Sequence, residues 1–300
     1  MTRAVLVLGF AQIAVGAAAI FARYALLGGT PIGVAAARLS IAALVMLLLA
    51  ALRPQPRSAR PNAAASRTLA FAGFALAAHF ALWIASLEYT SVAISTLLVT
   101  TTPIWTALYD AFVCKRPLSR LATIGFIIGG IGLLLVVGID RTPAPIPGHA
   151  LLGDALALLG SVAIGAYLLL VREVRAALNT RTIVTRTFSW AALALVVASL
   201  LAHQPAPPLH DGSAWAGILA MALISQLLGH TAINASLRHF TPNAVSFATL
   251  LEPVIAGALA LAIFGEPIPA LALLGGLLLL GAIGIVLREE RVDLSALENL

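Results

Sequence analysis

A single cysteine, Cys114, excludes an internal disulfide and any metal cage built on cysteine. It reads as a small apolar residue near a helix end. Charge is equally scarce. Asp, Glu, Lys and Arg supply 10% of the chain, too little to give a folded soluble domain its surface. No Walker sequence is present, so the chain carries no ATP-driven motor. No His/Cys/Asp cluster has metal-ligand spacing, and neither a Gly-x-Ser-x-Gly elbow nor an HExxH helix occurs. These absences point away from an enzyme and from any metal or bound cofactor.

Apolar residues fill the chain instead, at 61%. They gather in ten stretches of about 20 residues, at 4–27, 31–52, 67–87, 91–112, 118–138, 151–175, 181–201, 213–237, 242–264 and 268–287. A helix rises about 1.5 Å per residue, so each stretch can cross about 30 Å of hydrocarbon. The expectation is an all-α membrane protein of ten transmembrane helices with the lipid bilayer as its solvent. The longest connections, 53–66 and 139–150, are rich in Pro and Ala and read as linkers. Residues 1–27 imitate a signal peptide through Arg3, an apolar run and Ala17-Ala18-Ala19. Retention of this segment is expected, because it has a counterpart later in the chain.

A net charge of +6 raises the question of nucleic acid, and the placement of the charges answers it. With both termini on one side, fifteen of the eighteen Lys and Arg fall on that side. They cluster around Arg53–Arg67, Lys115–Arg120 and Arg172–Arg186, with Arg3, Arg238, Arg288 and Arg291. Only Arg141 falls in an opposite loop, and Arg23 and Arg38 lie inside spans. This is the positive-inside pattern, so both termini are expected in the cytoplasm, in the inner membrane, with no nucleic-acid partner.

A shift of 150 positions lays one half of the chain on the other. Ala85-Ser86-Leu87 falls on Ala235-Ser236-Leu237, Pro103 on Pro253, Pro117 on Pro267 and Gly125 on Gly275. At a shift of 149, Gly16-Ala17 meets Gly165-Ala166 and Arg23 meets Arg172. Five helices per half is an odd number, so the second repeat enters the membrane inverted. Inverted repeats are a transporter signature that places a site near the midplane. The units are expected at 1–140 and 147–290, followed by a cytoplasmic tail at 291–300.

The stretch Leu87-Glu88-Tyr89-Thr90-Ser91 through Thr102-Pro103-Ile104 to Lys115-Arg116-Pro117 resembles the EamA repeat of the drug/metabolite transporter superfamily. Leu250-Leu251-Glu252-Pro253-Val254 followed by Phe264-Gly265-Glu266-Pro267 resembles it again, and Arg38 looks like an arginine common in the repeat's second helix. The likeness covers the whole chain as two copies and is greatest to the YddG-type amino-acid exporters. It departs at Arg116, where the repeat usually carries the glutamate seen at Glu266. The resemblance, not the residue pattern, implies export of amino acids by alternating access.

Polar residues inside the spans are the candidate site. Glu252 lies near mid-depth of the ninth span, immediately before Pro253. It either binds a substrate ammonium or a proton, or caps a broken helix or pairs with a buried Arg. Pro103 and Pro253 each free a carbonyl one turn back and are candidate hinges. His79 shares a face with Trp83 and Ser86; Gln226, His230 and Asn234 form a stripe at i, i+4 and i+8. Ser95, Thr102, Trp105, Thr106 and Tyr109 run along the fourth span, with Ser246, Thr249 and Glu252 on the ninth. Tyr167 lies at mid-depth of the sixth. Interhelical packing and hydroxyl bonds to carbonyls a turn back are the plainer reading of these groups.

Arg38 is expected to orient the second helix through an ion pair, with a substrate carboxylate as the alternative. Asp110, beside Lys115 and Arg116, reads as a solvated or gate-forming salt bridge. Glycines of the fifth and tenth spans favour contact within one bundle, hence a monomer, over a dimer. The hydroxyls, amides, imidazoles, indoles and single carboxyl suit a small zwitterion. The alternatives are export of cationic drugs and, of another class, a membrane-embedded lipid-processing enzyme using His79 with Glu252.

Overall fold

Side-chain caps fix the starts of several helices. Thr30 Oγ1 accepts from the Gly33 amide at 3.3 Å, with Pro31 as the first helical residue. Asn62 accepts from Ala65 at 2.8 Å, Asn179 from Thr182 at 2.9 Å, Asp211 from Ala214 at 3.0 Å and Thr241 from Ala244 at 3.3 Å. Each bond satisfies an amide that the first turn of a helix leaves unpaired. At Asp211, outside the spans, the Ala214 amide and the Ser213 hydroxyl hold the carboxyl below the ordinary carboxylate range.

The computed structural model of the chain describes residues 2–53, 60–90, 92–115, 119–137, 149–264, 271, 274–282 and 284–285. In order, the helices are α1 (Thr2–Gly16), α2 (Ala18–Ala25), α3 (Pro31–Leu52), α4 (Ala63–Ser86), α5 (Val92–Val99), α6 (Thr102–Phe112) and α7 (Arg120–Val137). There follow α8 (Ala150–Val174), α9 (Thr180–Leu201), α10 (Gly212–Ala220), a π-helix (Met221–His230) and α11 (Thr231–Ser236). Then come α12 (Pro242–Ala248), a 3-10 turn (Thr249–Leu251) and α13 (Glu252–Phe264). Residues 274–282 are helical, and there is no strand among the described residues.

Among the described residues, seven runs are long and apolar enough to cross a membrane: Arg3–Ala25, Pro31–Leu52, Ala63–Ser86, Leu151–Val174, Thr180–Leu201, Gly212–Ser236 and Pro242–Ile263. The expected fourth span divides into α5 and α6, each too short alone. The fifth is α7, whose apolar stretch covers Arg120–Gly132. Much of the tenth lies outside the described residues. So do the junction at 141–146, the tail at 291–300, and Arg57, Ser91, Arg116, Pro117, Arg141, Glu266, Pro267, Arg288 and Arg291. Leu44, Leu47 and Leu48 on α3, with Leu193 and Val197 on α9, keep their side chains exposed. An outer shell of this kind is solvated by lipid rather than water.

The repeat is visible in the breaks. Pro103 has no N–H for the carbonyl of Val99, and the Thr102 hydroxyl donates to that oxygen instead, at 3.0 Å. Helix is interrupted at Thr100–Thr101 before Pro103 and tightens to 3-10 at Thr249–Leu251 before Pro253, which the 150-residue shift brings into register. Packing obeys the same symmetry. α4 packs along α8, while α1 packs along the π-helix and α2 along α10; exchanging the halves turns the first pairing into the second. α3 on α9 pairs equivalent elements of the two halves, and the exchange turns α6 on α12 into α5 on α13.

Gly217 marks the closest of these approaches. A Cβ there would lie 2.6 Å from the carbonyl oxygen of Phe21 and 2.7 Å from the amide nitrogen of Ala25, backbone that has little room to move. Gly257 on α13 has nothing within 4 Å of the same position. Gly217→Ala is therefore expected to destabilise by about 1–3 kcal/mol through overpacking. Gly257→Ala is expected to stabilise by about 0.5–1 kcal/mol by removing helix glycine. Apparent melting temperatures of the two variants in one detergent check the opposite signs.

Candidate functional site

Residues of both halves line a partly open cavity of about 50 Å³, room for a few water molecules. Its lining comes in repeat-related pairs. Phe80 and His230, Trp83 and Ile233, Val99 and Thr249, and Thr102 and Glu252 are each 150 residues apart; Val15 and Ile164, and Ala19 and Leu168, are 149 apart. Phe80 and His230 touch, edge to face at 5.2 Å between ring centroids. Equivalent positions of two repeats meet only on the axis that relates them. The cavity therefore sits on the dyad, where a transporter of inverted repeats holds its substrate.

The charges break this symmetry. Arg38 is 1% exposed, and its equivalent in the second half is the apolar Phe188. Its guanidinium lies 4.0 Å from the centroid of the Phe80 ring and reaches Met221 Sδ at 3.9 Å. Glu252 comes from the second half, at the first turn of α13, where Thr102 is its counterpart. Arg38 and Glu252 line the same cavity and act on each other electrostatically, yet no ion pair joins them among the described residues.

Phe80 is the hub of the wall. Besides Arg38 and His230 it meets His79, 4.7 Å away and edge-on, and His79 lies nearly parallel to Trp83 at 6.3 Å. His79 Nδ1 is 3.0 Å from the Gly160 carbonyl, which can only accept, so Nδ1 carries the proton and a neutral ring keeps Nε2 as an acceptor. Four polar atoms of lining residues have no partner among the described residues: Arg38 Nε, Trp83 Nε1, Thr96 Oγ1 and His230 Nδ1. Buried polar groups without partners are costly, the more so in a membrane. Their convergence on one cavity marks a place built to receive polar atoms.

Of the residues singled out in the sequence, His79, Trp83, Thr102, His230, Thr249 and Glu252 line this cavity. Ser95 instead bonds Ser86 Oγ at 2.6 Å, Ser246 bonds Thr106 at 3.1 Å, and the Tyr167 hydroxyl donates to Asn234 Oδ1 at 2.9 Å. Trp105 Nε1 donates to Ser161 Oγ at 3.1 Å, and the same hydroxyl accepts from Thr101 at 3.0 Å. Gln226 is buried without a partner for its amide. The expected stripe of Gln226, His230 and Asn234 assumes α-helical turns; a π-helix runs through Met221–His230, and of the three only His230 lines the cavity. Arg38, Phe80 and Thr96 belong to the wall as well.

One end of the bundle is tied across the halves. Arg172 on α8 donates to Asp110 Oδ1 on α6 at 2.8 Å, and Asn243 on α12 donates to Asp110 Oδ2 at 3.1 Å. A second Arg172 nitrogen reaches Cys114 Sγ at 3.6 Å. Asp110 thus takes its partners from the second repeat, which its neighbours in sequence, Lys115 and Arg116, did not disclose.

The sequence pattern of the EamA-like transporter family matches residues 2–138 and again residues 151–288. The chain belongs to the EamA-like transporter family. It is thus a two-repeat, multi-pass membrane protein, and the family's members are transporters rather than enzymes. A solved crystal structure, described only as that of a protein, superimposes on this EamA chain with a TM-score of 0.78 at 15% identity. The match covers 97% of this chain and 98% of the other, a likeness of fold. No curated protein matches the EamA chain at a comparable level of significance.

Proposed function

We propose that the protein exports amino acids, or closely related zwitterionic metabolites, across the inner membrane by alternating access. The observation that carries this reading is a buried cation and a half-buried carboxylate, Arg38 and Glu252, lining one cavity without pairing directly. A zwitterion supplies a carboxylate to the first and an ammonium to the second. Each charge then gains the partner that a low-dielectric site demands. Phe80, Trp83 and His230 form an aromatic wall against which a side chain can pack. A purely cationic drug fits less well, because it would meet Arg38.

In this reading the chain spans the membrane ten times as two inverted five-helix repeats, with both termini in the cytoplasm as the placement of Lys and Arg supports. Pro103 and Pro253 are the hinges. The cavity is smaller than an amino acid, so the observed conformation is a constricted one that opens to admit substrate. The protein acts as a monomer. Gly132 of α7 faces the carbonyl of Gly275 at 2.7 Å from its would-be Cβ, which turns the glycine faces of the fifth and tenth spans toward each other.

Flux of radiolabelled amino acids from proteoliposomes, with and without an imposed pH gradient, tests the proposal. Saturable efflux of several neutral amino acids, insensitive to the gradient, is the expected result and describes a facilitator. Efflux driven by the gradient and lost in Glu252→Gln would make the protein a proton antiporter instead. No amino-acid flux, together with flux of a lipophilic cation, would overturn the substrate class.

A further inference from the structure

A second recess in the protein is larger than the cavity on the dyad. At about 640 Å³, it lies where α3 ends and α9 begins, beside the residues that lead into α4. Three arginines line it, Arg60, Arg181 and Arg186, together with the hydroxyl residues Thr182, Thr185 and Ser189. No Asp or Glu is among the described lining residues. Arg181 gives one guanidinium nitrogen to the Arg53 carbonyl at 2.6 Å, which fixes the end of α3 against the start of α9.

The recess changes character along its length. From Arg181 to Leu193 the α9 axis advances about 18 Å at 1.5 Å per residue. Its first part carries the arginines and hydroxyls, and its last part is formed by Trp190 and Leu193, with Leu47 of α3 opposite. Leu47 and Leu193 are about half exposed, on the surface that faces lipid tails. A soluble phosphate would use only the first part. A molecule with a phosphate at one end and hydrocarbon at the other uses the whole recess.

We propose that this recess binds the headgroup of an anionic phospholipid, with Arg60 and Arg186 on the phosphate and an acyl chain along Leu47, Trp190 and Leu193. Basic pockets between membrane helices at the cytoplasmic level recognise such headgroups. Guanidinium groups match phosphate oxygens in geometry as well as charge. The occupant would bridge α3, α9 and the start of α4, elements from both repeats. The site is separate from the dyad cavity and does not depend on what the transporter carries.

The test is lipid binding by the purified full-length protein in a mild detergent, followed by native mass spectrometry. Phosphatidylglycerol and phosphatidylcholine of the same chain length compete for the protein, with millimolar inorganic phosphate as a third arm. Wild type is expected to prefer phosphatidylglycerol. The double variant Arg60→Gln, Arg186→Gln is expected to lose about 30-fold of that preference, and Arg60→Lys, Arg186→Lys to retain most of it. Arg186→Gln alone serves if the double variant does not fold. Equal binding of the two lipids by wild type, or a preference intact in a folded Gln variant, overturns the proposal. Displacement of phosphatidylglycerol by inorganic phosphate makes the recess a soluble-phosphate site and overturns it too.

Discussion

Arg38→Met is expected to raise the half-saturating concentration of an amino acid by about two orders of magnitude, the scale of losing one partner of a buried, hydrogen-bonded charge pair. Methionine keeps an unbranched apolar side chain against the Phe80 ring and removes only the charge and its donors. The sharper readout is selectivity. A substrate amide, which lacks the carboxylate, should be little affected by Arg38→Met. A des-amino analogue, which lacks the ammonium, should be little affected by Glu252→Gln. Counterflow inhibition by the two analogues in both variants forms a closed cycle. If both variants lose both analogues equally, Arg38 and Glu252 serve each other and the fold rather than the two ends of one substrate. A purely structural ion pair would move stability without moving this selectivity.

The same pair shows what the sequence discloses and what it withholds. The spans are legible because hydrocarbon tolerates only helices with internally satisfied backbone, so apolar length alone reports most of them. Pro103 and Pro253 report the two breaks, because a missing N–H acts locally whatever surrounds it. The 150-residue register is legible too, and it brings Phe80 and His230 together on the axis.

Side-chain direction is harder to read. Arg38 reads as a partner for another helix, because nothing in its own segment says that Phe80 and Glu252 will face it. The π-helix has no cue in Met221–His230, and nothing local says that His230 will line the cavity while Asn234 bonds Tyr167. Ser161, an ordinary serine in an apolar run, collects Trp105 and Thr101 only because α8 crosses the break between α5 and α6. These contacts belong to tertiary packing, where local pattern carries no information.

The tie at Asp110 should behave as a latch that opens more often when weakened. Asp110, Arg172 and Asn243 join α6, α8 and α12 at the end of the bundle that the proposed topology places in the cytoplasm. The two charged side chains are 13% and 23% exposed, so solvent screens the pair and its contribution is about 1 kcal/mol. Asp110→Asn is therefore expected to raise the open population at this end several-fold. The single cysteine supplies the probe, since Cys114 Sγ sits 3.6 Å from the Arg172 guanidinium. Maleimide labelling of Cys114 should quicken several-fold in Asp110→Asn, and less in Asn243→Ala, which removes one hydrogen bond and no charge. Saturating substrate added from the opposite side should change the labelling rate in both, because substrate shifts the same equilibrium. A faster rate that ignores substrate would mean only that Arg172 no longer shields the thiol. An unchanged rate would mean that this end stays shut without the ion pair, and the closure would then lie in the apolar packing of α6 on α12.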